Sequence, residues 1–117
     1  MPILIDRDST FIVQGITGRE AVNLTRENLD YGAKIVGGVT PGRAGRDVYG
    51  VPVHDCVRDI TSRTRVDGSV VCVPPRFVRD AVFEALLHGI RLVVIVTERI
   101  EDIPAMVKER LADTRGH

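Results

Sequence analysis

Residues 10–32 read TFIVQGITGREAVNLTRENLDYG, and this stretch decides the fold. It opens on β-branched and apolar residues, the composition of a buried strand. It then crosses Gly15 and Gly18. Beyond Gly18, apolar residues fall at Ala21, Val22, Leu24 and Leu29, the spacing of an amphipathic helix, and Gly32 ends it. A strand, a glycine turn and a helix in direct succession form the first half of a βαβ unit, which closes in parallel with the next strand.

The rest of the chain repeats that alternation. AKIVGGV (33–39) reads as a second strand, and TPGRAGRDVYGVPV (40–53) as a long loop with a short extended piece near Val51–Val53. Asp55 has the chemistry of an N-cap for a short helix through Val57 and Ile60. GSVVCVP (68–74) is a third main strand. RFVRDAVFEALLHG (76–89) is a helix expected to turn Phe77, Ala81, Val82, Ala85 and Leu86 inward, and RLVVIVT (91–97) is a fourth strand. EDIPAMVKERLADTRG (101–116) closes with a helix facing Ile103, Met106, Val107 and Leu111 inward, with Pro104 in its first turn. VVCV and LVVIV are apolar at almost every position, as strands covered on both faces are. The fold class that follows is α/β: one domain, 1–117, a Rossmann-like parallel sheet with helices on both faces.

Bulk composition bounds the function. The chain has 117 residues, 16 Lys+Arg and 16 Asp+Glu, so its formal net charge is zero and charge gives no reason to expect a polyanion. Phe11, Tyr31, Tyr49, Phe77 and Phe83 are all its aromatic residues, few for stacking single-stranded bases, and nucleic acid is not an expected partner. Cys56 and Cys72 lack metal-ligand spacing and read as reduced, packing thiols. No signal-peptide pattern opens the chain, and its longest apolar run is too short to cross a bilayer. A cytoplasmic protein without membrane or metal is the expectation.

In parallel α/β sheets ligands bind outside the carboxyl ends of the strands. Here those ends lead into Gly15–Glu20, Gly38–Arg46, Pro74–Arg76 and Thr97–Arg99, all polar, charged or rich in Gly and Pro. Gly15-Ile16-Thr17-Gly18-Arg19-Glu20-Ala21 fits the loose dinucleotide spacing, with Ala at the third glycine position. Glycine lets the backbone approach a phosphate, and the N–H groups and dipole of the helix start favour the anion. A tight βα turn with no ligand is the plainer alternative. NAD recognition needs an acid near the end of the second strand; KIVGGVTPGRAGR has none and offers Arg43 and Arg46 instead. That suits a ribose carrying a phosphate, as in NADP or coenzyme A. Arg43, between glycines, is the better candidate, and Arg46 reads as solvated.

Longer segments carry a resemblance. ILIDRDSTFIVQGITG, YGAKIVGGVTPGRAG, VYGVPVHDCVRD and SVVCVPPRFVRDAVFEALLHGIRLVVIVTE together resemble the amino-terminal CoA-binding domain of succinyl-CoA synthetase (succinate–CoA ligase) α subunits. The resemblance implies CoA as ligand, lying across the first turn at Gly15, Thr17, Gly18, Arg19 and Glu20. It implies further contacts along Val39, Pro41 and Arg43, at Val73 and Pro74 near the adenine, and at Val96, Thr97 and Glu98. The family usually has Lys where Arg43 stands; Arg keeps the charge and adds a fork. A ligase β subunit and a carboxy-terminal α domain holding a phosphorylated histidine are implied as partners, and a place in the tricarboxylic acid cycle with them. None of His54, His88 or His117 matches that histidine. The chain is therefore expected to hold CoA without any catalytic residue of the relay. A free-standing CoA-binding or regulatory module, or less readily an NADP-binding domain, is the alternative.

Overall fold

The computed structural model describes residues 8–96. The expected closing helix at 101–116, and the site residues Thr97 and Glu98 with Arg99, lie outside the described residues.

The opening stretch folds as its pattern dictates. Strand β1 (Thr10–Gln14) runs into helix α1 (Arg19–Asp30), and β2 (Lys34–Val39) returns parallel to β1. A hairpin follows, β3 (Asp47–Val48) with β4 (Val51–His54), then α2 (Val57–Thr61), β5 (Gly68–Val71), α3 (Pro75–Leu87) and β6 (Leu92–Ile95). Among the described residues the six strands lie in the order β3-β4-β2-β1-β5-β6; only β3 is antiparallel to its neighbour.

Two apolar clusters show that both faces of the sheet are covered. Ile12, Val39 and Val93 meet Val57 and Ile60 of α2 and Ala85 of α3 on one face. Val13, Val53 and Ile35 meet Ile16 and Ala21 and Leu29 of α1 on the other. Adjacent glycines in β2 make this possible. A side chain at Gly37 would strike Ile60, and one at Gly38 would overlap Ile16. The pair therefore lets a helix and a turn approach the same strand from opposite sides.

The sequence reading needs four adjustments. First, the loop after β2 contains a hairpin, its tip the pair Tyr49–Gly50 at φ of 51° and 84°. Both central residues at positive φ make a type I′ tip, which fits the twist of the flanking strands. Asp47 accepts the Gly50 N–H at 3.1 Å and closes it. Strands this short leave little periodicity to read. Second, α3 is rotated from the expected face. Val78, Ala81 and Ala85 are buried, while Phe77 and Leu86 stand about half exposed (46% and 52%). The two alanines allow close approach to the sheet, and the large side chains fall outside it. Third, α1 buries Thr25 with Ala21; the threonine hydroxyl is satisfied by the Ala21 carbonyl at 2.7 Å.

Fourth, Asp55 does not cap α2. The N-cap is Cys56, without a side-chain bond, and the Val57 N–H donates instead to the Glu84 carboxylate of α3 at 2.8 Å. The Asp55 carboxylate turns to the loop after β2.

Candidate functional site

Chain direction reverses its course across the sheet between β1 and β5. From β1 the chain passes through α1 on one face to β2; from β5 it passes through α3 on the other face to β6. The carboxyl ends of β1 and β5 therefore flank the switch point, where neighbouring crossovers diverge and leave a crevice. Gly15 and Val73 meet there.

Gly15 is fixed by two neighbours and its own backbone angle. Its N–H donates to the Val39 carbonyl at 2.6 Å, its φ is +86°, and a Cβ on it would overlap the Cys72 carbonyl oxygen. Gly18 differs. It is the N-cap of α1 at φ −68° and ψ 153°, extended backbone open to any residue, and an added Cβ would meet only the Gly15 carbonyl at 3.4 Å. Neither sterics nor dihedral angles require glycine at 18. What its missing side chain leaves open is the exposed start of α1, where no side chain caps the first N–H groups. Arg19 and Glu20 are exposed on that first turn.

Hydroxyls lash this turn to the loop after β2. The Thr17 N–H and hydroxyl both donate to the Thr40 hydroxyl, at 3.4 and 3.1 Å. Pro41 and Arg43 are exposed beyond Thr40, and among the described residues Arg43 has no ion-pair partner. Arg46 is exposed as well. Val39 is buried, its side chain in the core cluster and its carbonyl on Gly15. On the other flank, Pro74 is the N-cap of α3 and exposed, Val73 is half-buried, and Arg76 lies over the Phe77 ring at 4.8 Å. The Val96 N–H donates to the Val71 carbonyl at 2.9 Å, which brings Val96 to the same edge.

Beneath the crevice a polar pair is sealed in the core. The Ser69 hydroxyl donates to the Gln14 side-chain oxygen at 2.6 Å, and the Gln14 amide donates to the Ala81 carbonyl at 2.9 Å. These bonds join β1, β5 and α3 just behind Gly15. Sequence reasoning passed over both residues, since a polar residue inside a strand gives no sign of which face it takes. The Cys72 thiol is pushed up to about 11, first by burial and then by the Glu20 carboxylate, so it stays protonated at neutral pH.

A doubly covered, nearly all-parallel sheet with a glycine turn at its switch point defines a Rossmann-like α/β domain. A family model described as CoA binding domain matches residues 6–99, and the chain belongs to that family. It is 50% identical over 98 residues to the succinate–CoA ligase [ADP-forming] subunit alpha 1 of Archaeoglobus fulgidus, covering 84% of this chain and 34% of that one. It is 41% identical over 100 residues to the ADP-forming sulfoacetate-CoA ligase subunit SqwL of Acholeplasma sp, covering 86% and 34%. The chain thus spans about a third of the length of these curated relatives. Among solved structures, a conserved hypothetical protein from Pyrococcus furiosus superposes with a TM-score of 0.67 at 17% identity, over 92% of this chain and 88% of the other. That likeness speaks for the fold alone.

Among the described residues no helix is long and apolar enough to cross a membrane.

Proposed function

We propose that this chain binds coenzyme A at the switch point between β1 and β5, as the nucleotide-binding domain of an ADP- or GDP-forming acyl-CoA ligase α subunit. The observation that carries the reading is Gly18: a glycine that the backbone does not require, at the open start of α1, in a chain of the CoA-binding family. The start of α1 offers N–H groups and a favourable dipole to the pyrophosphate. Thr17 shapes the turn, its hydroxyl donating to that of Thr40. Arg43 supplies the cation for a phosphate, and Val73 and Pro74 give an apolar wall for the adenine. Val96, Thr97 and Glu98 complete the contacts that the family resemblance implies.

The complete enzyme would condense CoA with a small acid at the expense of a nucleoside triphosphate in the cytoplasm, through a phosphohistidine supplied outside these residues and a β subunit that holds the nucleotide. Relatives named for succinate and for sulfoacetate share one feature: a carboxylate to activate and a second anionic group. An acid of that class is the proposed acyl donor, succinate first.

Calorimetric titration of the 117-residue chain with CoA, dephospho-CoA, NADPH and ATP tests the ligand. Binding is expected for CoA, weaker for dephospho-CoA, and weakest for NADPH and ATP. NADPH binding more tightly than CoA would overturn the reading.

A further inference from the structure

We infer that Asp55 is a positioning residue for the nucleotide site: its carboxylate holds the loop that presents Arg43. This inference rests on the CoA reading above. Asp55 follows β4, at the carboxyl edge of the sheet, and one of its oxygens accepts two backbone N–H groups, Gly42 at 2.8 Å and Ala44 at 3.3 Å. Those two residues bracket Arg43.

The rest of the loop is held by backbone hydrogen bonds, among them the Val53 N–H to the Arg46 carbonyl at 2.9 Å. Residues 41–47 are all exposed, so no apolar side chain anchors them in the core. The Arg43 N–H donates to the Thr40 carbonyl at 3.0 Å, the Gly45 N–H to the Val53 carbonyl at 3.1 Å, and the Arg46 N–H to the Arg43 carbonyl at 3.3 Å. With Asp55 included, every N–H from 42 to 46 has an acceptor within the chain. The backbone of this loop therefore offers no N–H group to an anion, and its contact with a phosphate falls to the Arg43 side chain. Gly42 and Gly45 sit at φ of +82° and +93°, and a chain with two such glycines has much freedom to lose when it orders. Asp55 removes that freedom before the ligand arrives.

Two other readings of Asp55 predict different behaviour. An N-cap role for α2 is excluded by the Val57–Glu84 bond. A purely electrostatic role would make its negative charge a deterrent to phosphate, so its removal would tighten binding. A clamp predicts the reverse for alanine and little change for asparagine, which keeps the accepting oxygen.

The test is a double-mutant cycle on the 117-residue chain, with CoA titrated into wild type, Asp55→Ala, Asp55→Asn, Arg43→Ala and Asp55→Ala/Arg43→Ala, each with its thermal midpoint. Asp55→Ala is expected to weaken CoA binding by roughly three- to thirtyfold, the scale of one or two lost hydrogen bonds. Asp55→Asn should recover most of that loss. In the Arg43→Ala background the Asp55→Ala loss should largely vanish, which a general structural defect would not produce. Hydrogen exchange at the Gly42 and Ala44 amides should quicken in Asp55→Ala without ligand.

Wild-type affinity in Asp55→Ala overturns the inference, as does an equal loss in both backgrounds. Unfolding of Asp55→Ala overturns it too, since the residue would then be a folding element. Absence of CoA binding by wild type is a separate result: it overturns the proposed function, and this inference with it.

Discussion

A Cβ on Gly15 would overlap the Cys72 carbonyl oxygen, whereas a Cβ on Gly18, three residues on, would touch only the Gly15 carbonyl at 3.4 Å. The two glycines of one turn thus serve different ends. Gly15→Ala combines that overlap with a left-handed backbone and is expected to cost at least about 1–3 kcal/mol of stability. Gly18→Val keeps an allowed backbone and should cost about 1 kcal/mol or less, the scale of an unfavourable N-cap. CoA affinity should fall at least roughly tenfold in Gly18→Val. Urea midpoints and calorimetry on the same samples check this, and a Gly18→Val protein with wild-type affinity would show that the turn is merely structural.

Arg43→Ala should leave the thermal midpoint near wild type, since the side chain is exposed and makes no ion pair among the described residues. CoA binding should weaken by about 1.5–3 kcal/mol, the scale of a hydrogen bond to a charged group. Arg43→Lys should lose less, because the charge stays and only the fork goes. Arg46→Ala should change little. Titration with a phosphate-free analogue separates the causes: an equal loss there would mean that Arg43 shapes the loop rather than meeting phosphate.

Ser69→Ala leaves the Gln14 side-chain oxygen buried without its 2.6 Å donor, at an expected cost of about 1–3 kcal/mol. Gln14→Met with Ser69→Ala removes both polar groups. The double variant should therefore be destabilised by less than the sum of the two single changes. Chemical denaturation of all four proteins measures the coupling. Additive losses would mean that the pair acts as two independent packing residues.

Asp67 gives the domain an acid-sensitive joint at the opposite edge of the sheet. Its carboxylate accepts the Thr10 N–H at 2.9 Å and pairs with Arg65 at 3.2 Å. The Thr10 N–H is the largest influence holding its pKa below the ordinary 3.8, with Arg65 assisting against partial burial. A carboxylate with a lowered folded-state pKa adds stability that is present above its unfolded value and is lost as pH falls through the folded one. Between neutral pH and about pH 2.5, wild type should lose more stability than Asp67→Asn. Urea midpoints across that range test it, and parallel curves would remove Asp67 from the account.

How far the sequence reached depended on the kind of signal. The strand–turn–helix of residues 10–32 was legible because burial forces a period of two or of 3.6 on the residues themselves. The same holds for β2, β5 and α3 as elements. The glycine turn was legible for a similar reason: a backbone that must bend is written in one short stretch. The face of α3 was not. Its buried residues are Val78, Ala81 and Ala85 because small side chains let the helix close on the sheet, while Phe77 and Leu86, more apolar by type, stay outside. Hydrophobicity ranks residues; only the partner surface decides which of them fit.

Asp55 marks the boundary most clearly. By itself the sequence determined an α/β domain with a glycine turn after its first strand, because local periodicity and glycine placement are properties of neighbouring residues. It also put a carboxylate directly before a short helix, where an N-cap belongs. The tertiary structure gave that helix Glu84 from α3 and turned Asp55 to Gly42 and Ala44. A carboxylate accepts from whichever N–H groups the fold brings within about 3 Å, and those groups come from parts of the chain that meet only after the sheet has formed.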